Sequence, residues 1–431
     1  MSKYVGKPIP RYDGLGHVTA TTTYVDDVRL PGMLHVKVLR SPVHKANILN
    51  LDVSAAERLP GVKGVLTAED VPNNAYGMFG DHPVLADTEV RYRGQPIAAV
   101  AAVDDDTALE ALDLITLDLE ELTPVLDPEE AMEPDAPKVR PEGNLWEFNS
   151  GPFRKMRMGD VEKGFAEADH LVEGTYTTPM QDHSPMETQC SVATVDGSDR
   201  LVIYTVSQDL YYHMTQLVGI LQMPMNKVKY VGGTIGGGFG SKNDIHADHV
   251  TALLALKTRK PVKWRWTREE EMLYSTKRGR WKFYFKDGVN KDGRIIARYV
   301  RTMIDTGAYS GMGPYAIDKN ALLVAGPFYI PNVSVDGYCV YTNKVPASSM
   351  RGFAILPGSA TEQIQMDRIA ETIGMDPWEI RFINAWRDGD RTVSGKVVDS
   401  VGLIEAMKAA AESAGVELPD QLKAMSSRER R

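Results

Sequence analysis

The stretch best equipped for chemistry is Gly232 to Asp244, GGTIGGGFGSKND, in which six of the first nine residues are glycine. An alternating apolar run, KVKYV from Lys227, precedes it, and a helix-like run, HADHVTALLALKT from His246, follows. Strand, glycine loop and helix is a layout that cradles anions, because glycine lets backbone N–H groups come close and the helix start adds positive potential. Neither familiar spelling fits. A P-loop needs a hydroxyl residue after its lysine, and Lys242 is followed by Asn243; in G-x-G-x-x-G the third glycine would fall on Ser241 or Asn243.

Other candidates are ambiguous singly. Gln208, in TVSQDLYYH, offers either an amide donor to a ligand or a partner for a loop carbonyl. Arg351, in SSMRGFAILPGS, suits an oxygen-rich ligand or a structural turn. His246 and His249 are spaced three apart without a third ligand in sequence, which predicts surface or hydrogen-bonded histidines rather than a metal site. Between Lys257 and Lys286, cations mix with Trp264, Trp266, Trp281, Phe283, Tyr284 and Phe285. The alternation at strand period and the interruption by Glu269, Glu270 and Glu271 favour a solvated strand face over a nucleic-acid platform.

The elements that must position these residues fall into sections. Residues 1–126 alternate strand-like runs (MLHVKVLRS, GVKGVLT, QPIAAVAAV) with helical stretches and predict a small α/β domain. Residues 127–151 (DPEEAMEPDAPKVRPEG and its flank) are rich in acid and proline and read as a linker. Residues 152–415 form a larger domain with strand-like runs and legible helix ends: Asp376–Pro377 opens DPWEIRFINAW, and Gly374 closes the helix before it. Residues 416–431 read as a loose polar tail. The strand PVKWRW, apolar only at alternate positions, is expected to be half exposed.

A chain of 431 residues holds two or three domains, and its net charge of -9 argues against a generic nucleic-acid binder. With two distant cysteines, Cys190 and Cys339, it forms neither a disulfide framework nor a thiolate metal site; a reducing, cytoplasmic setting without a membrane span is the expectation.

Taken in order, SPMETQC at Ser184, TVSQD, GGGFGSK at Gly236, KPVKWRWTREEEM at Lys260, GPFYIPNV at Gly326, MRGF at Met350 and MDPWEIRFINA at Met375 resemble the landmarks of the xanthine dehydrogenase and aldehyde oxidase family of molybdenum hydroxylases. The opening, RYDGLGHVTATTTYVDDVRLPGMLHVKVLRSPVHKA, is similar to that family's α/β hammerhead domain. The resemblance implies an α+β chain, with a hammerhead domain followed by the first of two molybdopterin-binding domains. It implies a molybdopterin cytosine dinucleotide whose molybdenum carries a sulfido or selenido ligand and takes no ligand from the protein.

On the matching positions, Gln208, Gly237, Gly238, Phe239, Gly240 and Arg351 would surround the cofactor, and Asn243, Lys319 and Phe353 would meet the substrate. Asn243 stands where purine-oxidising members carry glutamate, and Lys319 where they carry arginine, which points away from xanthine itself. The family's GTEMGQG-like segment and GEP-like motif with its catalytic glutamate do not occur. The resemblance therefore implies that no catalytic residue lies in this chain and that a second molybdopterin-binding chain brings the general base, as in nicotinate dehydrogenase. Iron–sulfur (2Fe-2S) and FAD subunits would take the electrons, and the substrate would be a small aromatic heterocycle. The alternatives are an aldehyde-oxidising or carbon-monoxide-oxidising relative and, from another class, a catalytically silent scaffold or assembly subunit.

Overall fold

The strand Pro96–Ala102, PIAAVAA, has no polar face, so it belongs inside a sheet covered on both sides. In the computed structural model, which describes residues 3–429, it lies between Leu34–Arg40 and Val62–Leu66 in a seven-stranded sheet. That sheet belongs to the first of two compact units, formed by the chain up to Leu122 together with His183–Ser275.

Its other strands are Val262–Arg265, Cys190–Val195, Leu201–Thr205 and Val228–Gly232, so the N-terminal section shares one sheet with a later part of the chain. The seam is a parallel pairing of Leu34 with Val262 and His35 with Lys263. Helix Asp248–Thr258 packs on this sheet and buries every residue from Asp248 to Ala255, as a helix without a polar face must.

The expectation of a half-exposed PVKWRW strand is corrected. Val262–Arg265 is central, and only Arg265 is exposed. Lys263 is tolerated inside because its Nζ lies 2.6 Å from a carboxylate oxygen of Asp26.

The second unit comprises Thr123–Asp182 and the chain from Thr276 onward. Its sheet runs Arg154–Met158, Asn332–Tyr341, Ile295–Gly307, Trp281–Val289 and His170–Thr178. Trp281, Phe283 and Phe285 face the core while Lys282, Tyr284 and Lys286 are part-exposed, which is the strand alternation read from the sequence. Arg298 is fully buried behind this sheet, 2.6 Å from Asp287 and 3.3 Å from Glu362. Burial raises Glu362 to about 7 despite that guanidinium.

Two further expectations are corrected. Residues 127–151 are packed in the second unit: Ala131 and Val139 are buried, and the Asn144 side chain bonds Val139 N and the Ala131 and Pro137 carbonyls. Trp146 N–H then donates to Cys339 O at 3.0 Å, beside a bridge between Leu145 and Val340. The described part of the expected tail is packed too, through helix Asp420–Ala424, buried Leu418 and Leu422, and Ser427 Oγ accepting from Ile404 N–H; residues 430–431 lie outside the described residues.

Candidate functional site

The glycine loop of the first unit is held by side chains from two other segments. Gln208 follows the strand Leu201–Thr205; its N–H donates to Lys242 O at 2.8 Å, and its Oε1 accepts from Gly240 N–H at 2.9 Å. Because a backbone N–H can only donate, this bond fixes the amide orientation: the carbonyl faces the loop and the NH2 faces away. Gln208 is exposed, and among the described residues its NH2 has no protein acceptor.

Glu187 forms the other support. Its Oε2 accepts from Gly236 N–H and from Lys242 Nζ, both at 2.7 Å, and its own N–H donates to Gly236 O at 3.0 Å. Lys242 is entirely buried beneath the loop, and burial pushes its ammonium below the ordinary lysine range against the pull of Glu187.

A side chain at Gly236 would collide with Glu187, and one at Gly238 with Gln208. The turn itself uses left-handed backbone at Gly237, Phe239 and Gly240. Ser241 N–H returns to Gly238 O and Asn243 N–H to Gly240 O. Among the described residues, the N–H groups of Gly237, Gly238 and Phe239 donate to no protein acceptor. Three consecutive free backbone donors next to an outward amide form a cradle for oxygen atoms of an anionic group.

Behind the cradle, Asp248 at the start of its helix accepts from Thr205 Oγ1 at 2.6 Å and lies 2.8 Å from His213 Nδ1. Burial pushes Asp248 up, but His213 and Thr205 outweigh it and hold the carboxyl below its usual value. Burial likewise lowers His213, and the adjacent carboxylate reverses this to leave it raised. The pair ties the helix after Gln208 to the helix after the glycine loop.

The histidines singled out by their spacing are packing residues. His249 is buried with its ring 5.1 Å from Tyr76 and is driven down to about 3, chiefly by burial; His246 lies 5.3 Å from Trp266. Among the described residues no group of three or more His, Cys, Asp or Glu is arranged to hold a metal, and no helix is long and apolar enough to cross a membrane.

Within the first unit, therefore, Gln208, Gly237, Gly238, Phe239, Gly240 and Asn243 come together in one loop cluster. Asn243 is half-buried, and its side chain bonds no described residue. Arg351, Lys319 and Phe353 belong to the second unit. There the Phe353 ring stacks on Tyr315 at 5.9 Å and 23°, with Lys319 Nζ 5.6 Å from its centroid.

Arg351 is exposed, and its carbonyl accepts from Arg278 at 2.6 Å. Left-handed backbone at Gly352 and Ala354 shapes this turn, and Asn320 Nδ2 holds Ala354 O at 2.8 Å. With Lys319 over the Phe353 ring, this turn presents aromatic surface and positive charge together, a combination suited to a flat anionic ring. Sequence reasoning gave no role to Glu187, His213, Asp248 or Tyr315; SPMETQC contained Glu187 as a landmark, but only the fold pairs it with Lys242.

Comparison with known proteins adds three findings. The Molybdopterin cofactor-binding domain family matches residues 145–385, and the Aldehyde oxidase and xanthine dehydrogenase a/b hammerhead family matches residues 19–123. The chain is 37% identical to the Nicotinate dehydrogenase large molybdopterin subunit of Eubacterium barkeri, over 95% of this chain and 96% of that one. It is also 37% identical to a probable xanthine dehydrogenase subunit of Bacillus subtilis, over 88% of this chain but 51% of that one. The solved Aldehyde Oxidoreductase from Desulfovibrio gigas superposes with a TM-score of 0.90 at 28% identity, covering 97% of this chain and 47% of the other. The chain thus spans nearly all of the Eubacterium barkeri relative and about half the length of the other two.

Proposed function

The chain belongs to the xanthine dehydrogenase and aldehyde oxidase family of molybdenum hydroxylases, and we propose from that premise that it is the molybdopterin-binding subunit of an enzyme hydroxylating an N-heterocyclic aromatic carbon. Water is the oxygen source: the substrate C–H and one water become C–OH, two protons and two electrons. When bound, a pterin-held molybdenum supplies the oxygen transfer and accepts the electron pair.

The observation that carries this reading is the free donor set at Gln208 NH2 and Gly237, Gly238 and Phe239 N–H, held from behind by buried Lys242 and Glu187. These donors fit the oxygen-rich, anionic end of a molybdopterin cofactor and stabilise negative charge there without reorganising. In this reading the chain needs no metal ligand of its own.

The rest of the chain's work is binding and orientation. Phe353 on Tyr315 offers a face for an aromatic ring, and Lys319 offers a cation for a ring carboxylate or oxyanion. The Asn243 amide can donate to or accept from a ring nitrogen or carbonyl, where a glutamate would repel an anionic ring. Taken one at a time, the cation at Lys319 and the uncharged amide at Asn243 each suit a nicotinate-type anion better than xanthine.

The general base is assigned to a glutamate on a second molybdopterin-binding chain, and electron exit to 2Fe-2S and FAD subunits. The dinucleotide is assigned as the cytosine form, as the family resemblance implies, and the setting as cytoplasmic; two buried free cysteines suit a reducing compartment.

The assay is metal and nucleotide analysis of the assembled complex. Molybdenum and released cytidine nucleotide are expected, and their absence from a folded, complete complex refutes the reading. Gln208→Ala should assemble normally yet lower turnover per bound molybdenum by roughly 100-fold, the usual scale for losing one positioned donor.

A further inference from the structure

The helix Pro377–Asn384 runs into a turn, Ala385 to Asp390, that leaves an arginine without a counter-charge. Among the described residues the Arg387 side chain makes no hydrogen bond or ion pair, and its Nε is shut off from solvent with no acceptor. Arginine keeps its charge in any protein setting, so a guanidinium enclosed in this way carries a cost until an acceptor reaches it. The side chain lines a cavity of about 580 Å³ in the second unit, and Ile296, Pro331, Ile383 and Met425 supply its apolar wall. The other cation on the lining, Arg294, is exposed and lies 3.4 Å from Asp292. Asp388 and Asp390 line an adjoining cavity instead, and each accepts a backbone N–H at 2.8 Å, from Val401 and from Arg387 respectively.

Buried hydrogen bonds fix the walls of this cavity. Asn384 Nδ2 donates to Gly293 O at 2.8 Å, its Oδ1 accepts from Ile295 N–H at 2.9 Å, and its carbonyl accepts from Tyr329 N–H at 2.8 Å. Asp388 N–H donates to Ser427 O at 2.8 Å, which holds the segment carrying Met425 in place. The cavity is remote from the ring platform at Phe353. Ile296 and Pro331 stand at the starts of the parallel strands Ile295–Gly307 and Asn332–Tyr341, whereas Ala347, shortly before Phe353, donates to Thr306 O at 2.9 Å near the other end. At about 3.3 Å per residue the longer strand spans about 40 Å. We propose that this cavity binds a small amphipathic carboxylate, with its acid group on Arg387 and its compact apolar body against the wall. A carboxylate offers the guanidinium fork two acceptors at once, and an apolar pocket of this volume with one placed charge suits a small molecule. An occupant here is a second ligand, separate from any ring held at Phe353. The inference stands without the functional reading above.

The test is calorimetric titration of the full chain, alone and in the complex isolated with its companions, with 1-naphthoate, octanoate and the uncharged 1-naphthalenemethanol. One saturable site per chain is expected for a carboxylate, and the alcohol should bind more weakly by roughly ten-fold or more. Arg387→Leu should lose carboxylate binding by a similar factor yet keep its thermal midpoint, because the guanidinium has no protein partner to lose; a merely structural arginine would lower that midpoint. Ile296→Trp, which fills the cavity and leaves Arg387 in place, should abolish binding. Tighter binding of 1-naphthoate or of octanoate assigns an aryl or an alkyl body, and either upholds the site. No saturable binding, equal affinity for acid and alcohol, or undiminished binding in either variant would overturn the proposal. So would binding that disappears in the assembled complex because a companion chain covers Arg387.

Discussion

Replacing Lys242 by methionine isolates what holds the glycine loop. The Lys242 side chain is fully buried and that of Glu187 is 11% exposed, so the substitution leaves a largely buried carboxylate with Gly236 N–H as its remaining donor among the described residues. Breaking a buried pair from one side costs about 3–5 kcal/mol, and the partial exposure of Glu187 puts the expectation near the lower end, about 3 kcal/mol. If the cost falls on local opening of the loop, amides of residues 232–245 should exchange with solvent roughly 100-fold faster, at a factor of ten per about 1.4 kcal/mol. Adding Glu187→Gln removes the stranded charge and keeps an acceptor for Gly236 N–H, so the double variant should recover to within about 1 kcal/mol of the parent. Hydrogen exchange read by mass spectrometry measures all three proteins. Exchange in Lys242→Met within about three-fold of the parent, or a double variant as fast as the single one, would refute the claim that this pair clamps the loop.

Gly238→Ala should fold, because the atom its new methyl meets is the end of an exposed side chain, but it should lose cofactor retention as Gln208 is pushed aside; Gly233→Ala, with open space around it, is the neutral control. His213 titrates above its ordinary 6.5 in the fold, so the stability it contributes is complete below that value and is lost as pH rises through its folded value. Thermal midpoints should accordingly show an alkaline loss that Asp248→Asn abolishes, and an unchanged profile in that variant contradicts the pairing. Glu362, raised from 4.5 to about 7, contributes stability that is present below the lower value and lost as pH rises through the upper one. Glu362→Gln should therefore gain on the parent between those limits, as read by denaturant midpoints at a series of pH values.

Local structure was legible wherever a few consecutive residues decide it. Asp376 caps its helix by accepting from Trp378 and Glu379 N–H, and Gly374 closes the preceding helix with φ of 69°, both as their spelling implies. Long-range partners were not legible. Lys263 reads as a solvent-facing residue until Asp26, far back in the chain, supplies its counter-charge. The acidic stretch 127–151 reads as a linker because composition does not reveal that Asn144 will bond three backbone groups and lead the chain into an anchor on Cys339. The sheet seam at Leu34 and Val262 joins strands more than 200 residues apart and has no signature in either one. For the candidate site, the glycines and Gln208 announced themselves by type and spacing. Tyr315, by contrast, is one aromatic on a helix until the turn at Gly352 and Ala354 brings Phe353 against it.

The glycines of the loop serve the chain's own side chains before any ligand. Gly236 is small because Glu187 crosses it, and Gly238 because Gln208 lies against it. Those contacts direct the Gln208 carbonyl onto Gly240 N–H and leave its NH2 facing outward. They also hold the intervening backbone in a left-handed turn whose three N–H groups have no internal acceptor among the described residues. Unsatisfied backbone donors are costly wherever water is excluded, so a group that covers this loop must supply acceptors for them. Because the support comes from buried Lys242 rather than from the ligand, the donors are already aligned before anything binds. Weakening that support should then lower retention of an oxygen-rich group without removing a single one of the donors that touch it.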